Sequence, residues 1–400
     1  MNPIDRAYEA AETRIMRLRV RSRYFDHFSR ALLRFWDVQG GRLAAAIAYY
    51  RFFAIFALLL IGYSIFGILL TNNRELFAIV RDFLAQNLPF LDIGAILSSS
   101  PRAFCAGGDV LKLTSEAKRD IESAKTYLRN EYSLNWLLEC FSKPVVSFIN
   151  GACMGSGAGL TAYNTHRIAG ENYKWAMPET KIGLFPDVGI AKVLARLPWP
   201  IGLYLGLTGR AIGRADAQWL KLATHCIPSA HFPEILTKLA DAEPVDPMLD
   251  GLNEIQEAGP LQKEVGPIQD HFSRDTLAEI FGSLTAAEAA GSEWAKTAVA
   301  DLRKCSPLSL AITDRHIRSA RSLDIRETLI QDYRLAVRCL GDHDFAEGVR
   351  AALRDKDGRP IWRPARFEEI SSELVDSYFT SLGEQELDLP ARTEMQAARV

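Results

Sequence analysis

The chain has 400 residues, with 47 Lys and Arg against 49 Asp and Glu and a formal charge of -2, so no general attraction to nucleic acid or to an acidic surface follows. That length is enough for two or three domains with a sizeable core. The six cysteines and seven histidines show no Cys-x-x-Cys pair, no His-Glu-x-x-His and no ligand spacing, which points to reduced thiols and away from a structural or catalytic zinc.

The first hundred residues contain no lysine. Arg14, Arg17, Arg19, Arg21, Arg23, Arg30, Arg34 and Arg42 precede the run Leu43 to Leu70, whose only charge is Arg51. Phe52 to Leu70 has no charge and is long enough to cross a bilayer, which takes about 20 residues. A helix apolar on every face belongs in a membrane rather than in a soluble core, and the long polar segment ahead of it argues against a cleaved signal peptide. The arginines hold the N-terminus in the cytoplasm, so the expectation is a single-pass membrane protein. The alternative is a cytoplasmic chain, with Arg51 keeping the segment interfacial or re-entrant. "TNNRELFAIVRDFLAQNLPFL" is amphipathic and reads as a connector lying along the interface. The run from Arg23 to Leu70 resembles the start of the YihY/BrkB family of integral membrane proteins. That resemblance implies contact with the lipid bilayer through residues 43–70 and stops before the family's further spans.

From Arg102 onward short apolar runs are separated by Gly, Pro and Asn. "PVVSFINGACMGSGAGLTAYNTHRIAG" reads as a buried strand over Val145 to Ile149, a tight Asn150-Gly151 turn and a small-residue helix opening near Gly155. "KWAMPETKIGLFPDVGIAKVLARL" reads as a strand ending at Met177, a loop, and a helix opening around Asp187. Strand, glycine turn and helix in succession predict an α/β fold. From Ala311 to Leu353 the pattern is helical.

Two glycine turns, "CAGGD" (Cys105 to Asp109) and "GSGAG" (Gly155 to Gly159), offer backbone N–H groups unencumbered by side chains, and two such donors converging on one point stabilise an oxyanion. Taken alone, "GSGAG" serves equally for close helix packing. Ser156 is not a serine-hydrolase nucleophile, because the Gly-x-Ser-x-Gly elbow needs glycines where Met154 and Ala158 stand. Glu179 follows a proline in a loop, and Asp187 follows it in the same segment. Asp187 is also a natural helix N-cap, and Glu131 in "NEYSLN" also fits a solvated helix face.

Together "AFCAGGD", "NEYSLN", "KPVVSFINGACMGSGAGL", "AMPETKIGLFPDVG" and "DYRLAVRCLGDHDFAEGVRAALRDKDGRPIW" resemble the crotonase (enoyl-CoA hydratase/isomerase) superfamily, and within it the 3-hydroxyisobutyryl-CoA hydrolases. The resemblance covers Ile93 to Gly383. It implies a crotonase-like α/β fold and hydrolysis of a short 3-hydroxyacyl-CoA thioester, 3-hydroxyisobutyryl-CoA in valine breakdown, with an acyl-CoA as the partner and no cofactor beyond the CoA of the substrate. It implies oxyanion donors at the amides of Gly108 and Ser156, and Glu179 as the carboxylate that attacks the thioester or activates water. Asp187 and Glu131 would orient the substrate's 3-hydroxyl or the water. Hydratases of the superfamily use a second glutamate, which here would fall at Gly159; without it the acid–base pair for adding water to a double bond is lost.

Three departures stand out. Ser156 replaces a glycine, Ile190 follows Gly189 where the family has another glycine, and the family's opening strands and helix are absent. The resulting organisation is a cytoplasmic arginine-rich segment (1–42), a transmembrane helix (43–70), an amphipathic connector (71–92), a truncated catalytic core (93–300) and a C-terminal helical region (301–400). The competing readings are an inactive membrane-anchored fusion product and another crotonase reaction, hydration or isomerisation.

Overall fold

The computed structural model describes residues 94–98, 100, 103–240 and 244–398. The expected arginine-rich segment, membrane span and connector therefore lie outside the described residues. Among the described residues no helix is long and apolar enough to cross a membrane.

Among the described residues, eight short strands form two four-stranded sheets: β1 (Gly94–Leu97), β2 (Ala103–Cys105), β3 (Val145–Ile149), β4 (Ala152–Met154), β5 (His166–Ala169), β6 (Lys174–Ala176), β7 (Ile212–Gly213) and β8 (His225–Cys226). From β1 to β6 the strands alternate between the sheets along the chain, whereas β7 joins the sheet of β6. One sheet has the order β1-β3-β5-β8 and the other β2-β4-β6-β7. All pairings are parallel except β6 with β7. The first three turns of the chain (β1 with β2, β3 with β4, β5 with β6) thus each lay one strand in each sheet and return through helices, which is the expected α/β pattern. β3 spans the expected residues and is buried at every position, as a strand covered on both faces must be. β1 lies in the "IGAIL" stretch and pairs with β3 in register Gly94 to Val145. Among the described residues β1 has no second neighbour, and Leu97 is 46% exposed.

The helix Ile121–Cys140 starts at Asp120, whose carboxylate accepts the Glu122 amide at 3.1 Å and the Ser123 amide at 3.4 Å, the usual service of an N-cap. Its buried stripe is Ala124, Leu128, Tyr132, Asn135, Trp136 and Cys140, one face at helical spacing. The short helix Ser156–Ala162 follows β4 through Gly155, with φ 53° and ψ -124°, a conformation only glycine adopts without strain. The C-terminal helices Ile325–Gly341 and His343–Val349 fall within the stretch read as helical, and Pro307–Ala320 enters it after beginning four residues earlier. All six cysteines are free thiols and five are buried.

Candidate active site

Glu179 opens a short 3-10 turn, Glu179–Ile182, immediately after β6 and Pro178. Ser306 and the segment of Asp344 brace that turn. The Ser306 amide donates to the Thr180 carbonyl at 3.0 Å, and the Ser306 hydroxyl donates to the buried Asp344 carboxylate at 2.6 Å. The turn ends at Gly183, in the left-handed region with φ 76°, where an added Cβ would stand 2.2 Å from the Asp344 carbonyl oxygen. The "HDFAEG" string therefore presses the 3-10 turn into place from the helix His343–Val349; Gly348 meets the Ile182 backbone with no room for a methyl group.

The Glu179 carboxyl is 6% exposed, and its Oε2 has no hydrogen-bond partner among the described residues. Burial pushes it up to about 8, against the opposing pull of its own amide and of Lys181. Its Oε1 lies 3.1 Å from where a Gly155 Cβ would be, and the same point is 3.4 Å from the Gly107 Cα. The two glycine turns and the carboxylate thus meet at one place. Gly108 and Ser156 stand side by side: a Cβ on Gly108 would be 3.3 Å from the Ser156 Oγ. Neither amide donates to another described residue. Ser156 begins its helix without a positive φ, so replacing glycine there leaves the backbone donor usable. Ile190, the second departure, is fully buried as the first residue of the helix Ile190–Arg196.

Asp187 is 7% exposed and accepts the Tyr132 hydroxyl at 2.7 Å. Burial, then the charges of Glu131, Glu179 and Asp332, hold its carboxyl well above the ordinary range. It is not a helix cap: the N-cap of Ile190–Arg196 is Gly189, with no side-chain cap bond. Glu131 is half-buried rather than solvated. It accepts the Ser156 hydroxyl, and burial raises its carboxyl. All five expected residues, Gly108, Glu131, Ser156, Glu179 and Asp187, are therefore linked by contacts or mutual charge. Close helix packing at "GSGAG" is also real, at Gly157, where a Cβ would stand 2.3 Å from the Cys105 carbonyl oxygen.

Gly159 has no space for a side chain. A Cβ there would be 2.7 Å from the Val188 Cβ and 2.9 Å from the Asn135 Nδ2. Tyr132 and Asn135 were not anticipated. Both belong to the buried stripe that includes Leu128 and Trp136, and helical spacing alone would have turned them inward with Glu131 beside them.

A buried carboxyl raised to about 8 gives a prediction. If ionised Glu179 performs the chemistry, kcat/KM climbs with pH and levels off above about 8. A pH–rate profile flat between pH 6 and 9, on the scale of about a twofold change, removes Glu179 from the rate-determining step.

The family model for enoyl-CoA hydratase/isomerase matches residues 89–379. The chain is 38% identical over 298 residues to the mitochondrial 3-hydroxyisobutyryl-CoA hydrolase of Xenopus tropicalis, covering 72% of this chain and 77% of that one. Against the protein of the same name from Danio rerio it is 37% identical, covering 74% and 80%. A crystal structure of an enoyl-CoA hydratase from Rhodobacter sphaeroides 2.4.1 superposes with a TM-score of 0.71 at 37% identity, covering 79% of this chain and 91% of that one. The interleaved sheets, the paired glycine turns beside a buried glutamate and these likenesses have one reading: the chain belongs to the enoyl-CoA hydratase/isomerase family.

Proposed function

We propose that the protein hydrolyses 3-hydroxyisobutyryl-CoA to 3-hydroxyisobutyrate and CoA, with CoA entering only as part of the substrate. The observation that carries this reading is the pairing of a buried carboxyl at Glu179, whose Oε2 has no hydrogen-bond partner among the described residues, with a glycine at 159 whose surroundings leave no room for a second acid. Adding water across a double bond needs a base for the water that attacks one carbon and an acid that protonates its neighbour, whereas thioester hydrolysis needs one carboxylate and an oxyanion hole. The carbonyl oxygen of the thioester lies between the amides of Gly108 and Ser156. Glu179 takes the proton from a water that attacks the carbonyl carbon, or attacks that carbon itself to form a mixed anhydride that water then opens to release the acid and free the carboxylate. The C–S bond breaks, the sulfur leaves as the CoA thiol, and water supplies the oxygen and hydrogens of the two products. Asp187 and Glu131 hold the 3-hydroxyl or the attacking water.

The curated relatives named above carry this activity in their names, which supports the substrate; the hydratase name of the Rhodobacter sphaeroides structure supplies the rival. Purified protein is expected to release thiol from 3-hydroxyisobutyryl-CoA and to leave the enoyl absorbance of crotonyl-CoA unchanged. Loss of that absorbance without thiol release would make the protein a hydratase and end this reading.

For residues 1–92 the proposal rests on composition alone. The segment 43–70 crosses a bilayer once with the N-terminus cytoplasmic, ahead of the connector 71–92, the catalytic core 93–300 and the helical region 301–400. A single crossing puts Glu179 on the far side of the membrane from the arginines. Lys356→Cys, at an exposed site, tests this in intact cells. Labelling by a membrane-impermeant reagent before lysis supports the crossing. Labelling only after lysis contradicts it and favours a cytoplasmic hydrolase.

A further inference from the structure

Asp187 precedes an unusual turn. Val188 and Gly189 both lie in the left-handed region, with φ 52° and 76°, a conformation a β-branched residue rarely takes. Two side chains hold this turn from outside it. The Tyr163 hydroxyl donates to the Val188 carbonyl at 2.8 Å, and the Gly189 amide donates to Asp332 Oδ2 at 2.6 Å. Asp332 and His316 are fully buried and joined at 2.5 Å, Oδ1 to Nε2. The Gln331 side-chain amide meets His316 Nδ1 at 2.7 Å and the Ser319 hydroxyl at 3.0 Å. With Nδ1 accepting from Gln331, the imidazole proton sits on Nε2 and is donated to Asp332.

The Gly189 amide is the donor that Asp187 itself would take. An Asp side chain habitually accepts from the amide two residues ahead, the Asx turn, and does so readily where a helix is about to start. Here that donor is engaged by a carboxylate from the helix Ile325–Gly341, and the Asp187 carboxyl accepts from Tyr132 instead. A buried carboxylate far away in the sequence thus does what the nearest acid would otherwise do.

We infer that Asp332, backed by His316, is a positioning residue: by occupying the Gly189 amide and fixing the Val188–Gly189 turn, it prevents Asp187 from capping its own loop and keeps that carboxyl in the site. This rests on the reading of Asp187 as the group that recognises the substrate's 3-hydroxyl. An Asp187 folded back onto Gly189 leaves the oxyanion amides and Glu179 in place but loses hold of the hydroxyl.

The experiment compares kcat/KM for 3-hydroxyisobutyryl-CoA and for isobutyryl-CoA, which lacks the hydroxyl, in the unaltered protein, Asp332→Ala, Asp332→Asn and Tyr163→Phe. Asp332→Ala is expected to cut the preference for the hydroxylated substrate by at least about tenfold, as loss of a polar contact to a substrate hydroxyl does. Asp332→Asn keeps an acceptor oxygen for Gly189 and is expected to restore most of the preference. Should Asp332→Ala fail to fold, Tyr163→Phe frees the same turn from its other side and lowers the preference in the same direction. A merely structural Asp332 would lower both rates together and leave their ratio unchanged; an unchanged ratio in the folded variants overturns the inference alone. Absence of hydrolysis by the unaltered protein overturns the proposed function and this inference with it.

Discussion

Glu179→Gln is expected to lower the rate of thioester hydrolysis by at least about a hundredfold, because an amide neither attacks the carbonyl nor accepts the proton of water. The same change is expected to stabilise the protein near neutral pH. An ordinary glutamate in the unfolded chain titrates near 4.3, whereas burial holds Glu179 at about 8 in the folded one. Between those values the folded state binds the extra proton, so stability is fully present below the unfolded value and declines as pH rises towards 8. Glutamine is never ionised and removes that decline. Thermal unfolding at pH 5 and pH 8 checks it: the unfolding temperature of the unaltered protein falls between the two, and that of the variant falls less. An inactive variant that is also markedly less stable would mean that Glu179 holds the loop together rather than acting on the substrate.

The second large effect concerns Gly159. A methyl group there meets Val188 at 2.7 Å and Asn135 at 2.9 Å, and Val188 cannot retreat because its turn is tied to Tyr163 and, through Gly189, to Asp332. Overpacking of this kind costs about 1–3 kcal/mol for Gly159→Ala. Gly159→Glu adds a carboxylate beside Glu179, Asp187 and Glu131, all of them already raised by burial, so like-charge repulsion compounds the clash. Restoring the hydratase glutamate is therefore expected to yield a protein that neither hydrates crotonyl-CoA nor hydrolyses thioesters, and that is less stable than the alanine variant. Measurable hydration by Gly159→Glu would show that Val188 and Asn135 swing aside and that the missing acid alone separates the two reactions.

The strand Val145–Ile149 was legible because a continuous apolar run between Pro144 and Asn150-Gly151 has few other uses. The glycine turns were legible because glycine at 107 and 155 answers a positive φ. The helix expected around Asp187 begins at Ile190 instead. Asp before an apolar run is a sound capping signal, and no local feature announces that the Gly189 amide is engaged by Asp332, 143 residues away in sequence. Glu131 was ambiguous for a related reason. Its own helix is amphipathic, and only the contact with Ser156 decides that it faces inward. Strands of two residues, such as β7 and β8, carry no periodicity to read. The support of Glu179 by Ser306 and Asp344 is likewise a property of distant segments brought together by packing, although the string that supplies Asp344 stood out in the sequence.

Thioester hydrolysis through Glu179 is the activity proposed for this chain. Its most direct measurement is thiol release from 3-hydroxyisobutyryl-CoA by the purified full chain at pH 8.5, with Glu179→Gln assayed in parallel. Release is expected to saturate with substrate in the unaltered protein and to fall by at least about a hundredfold in the variant. Equal release by both, or none from the unaltered protein, would contradict that proposal.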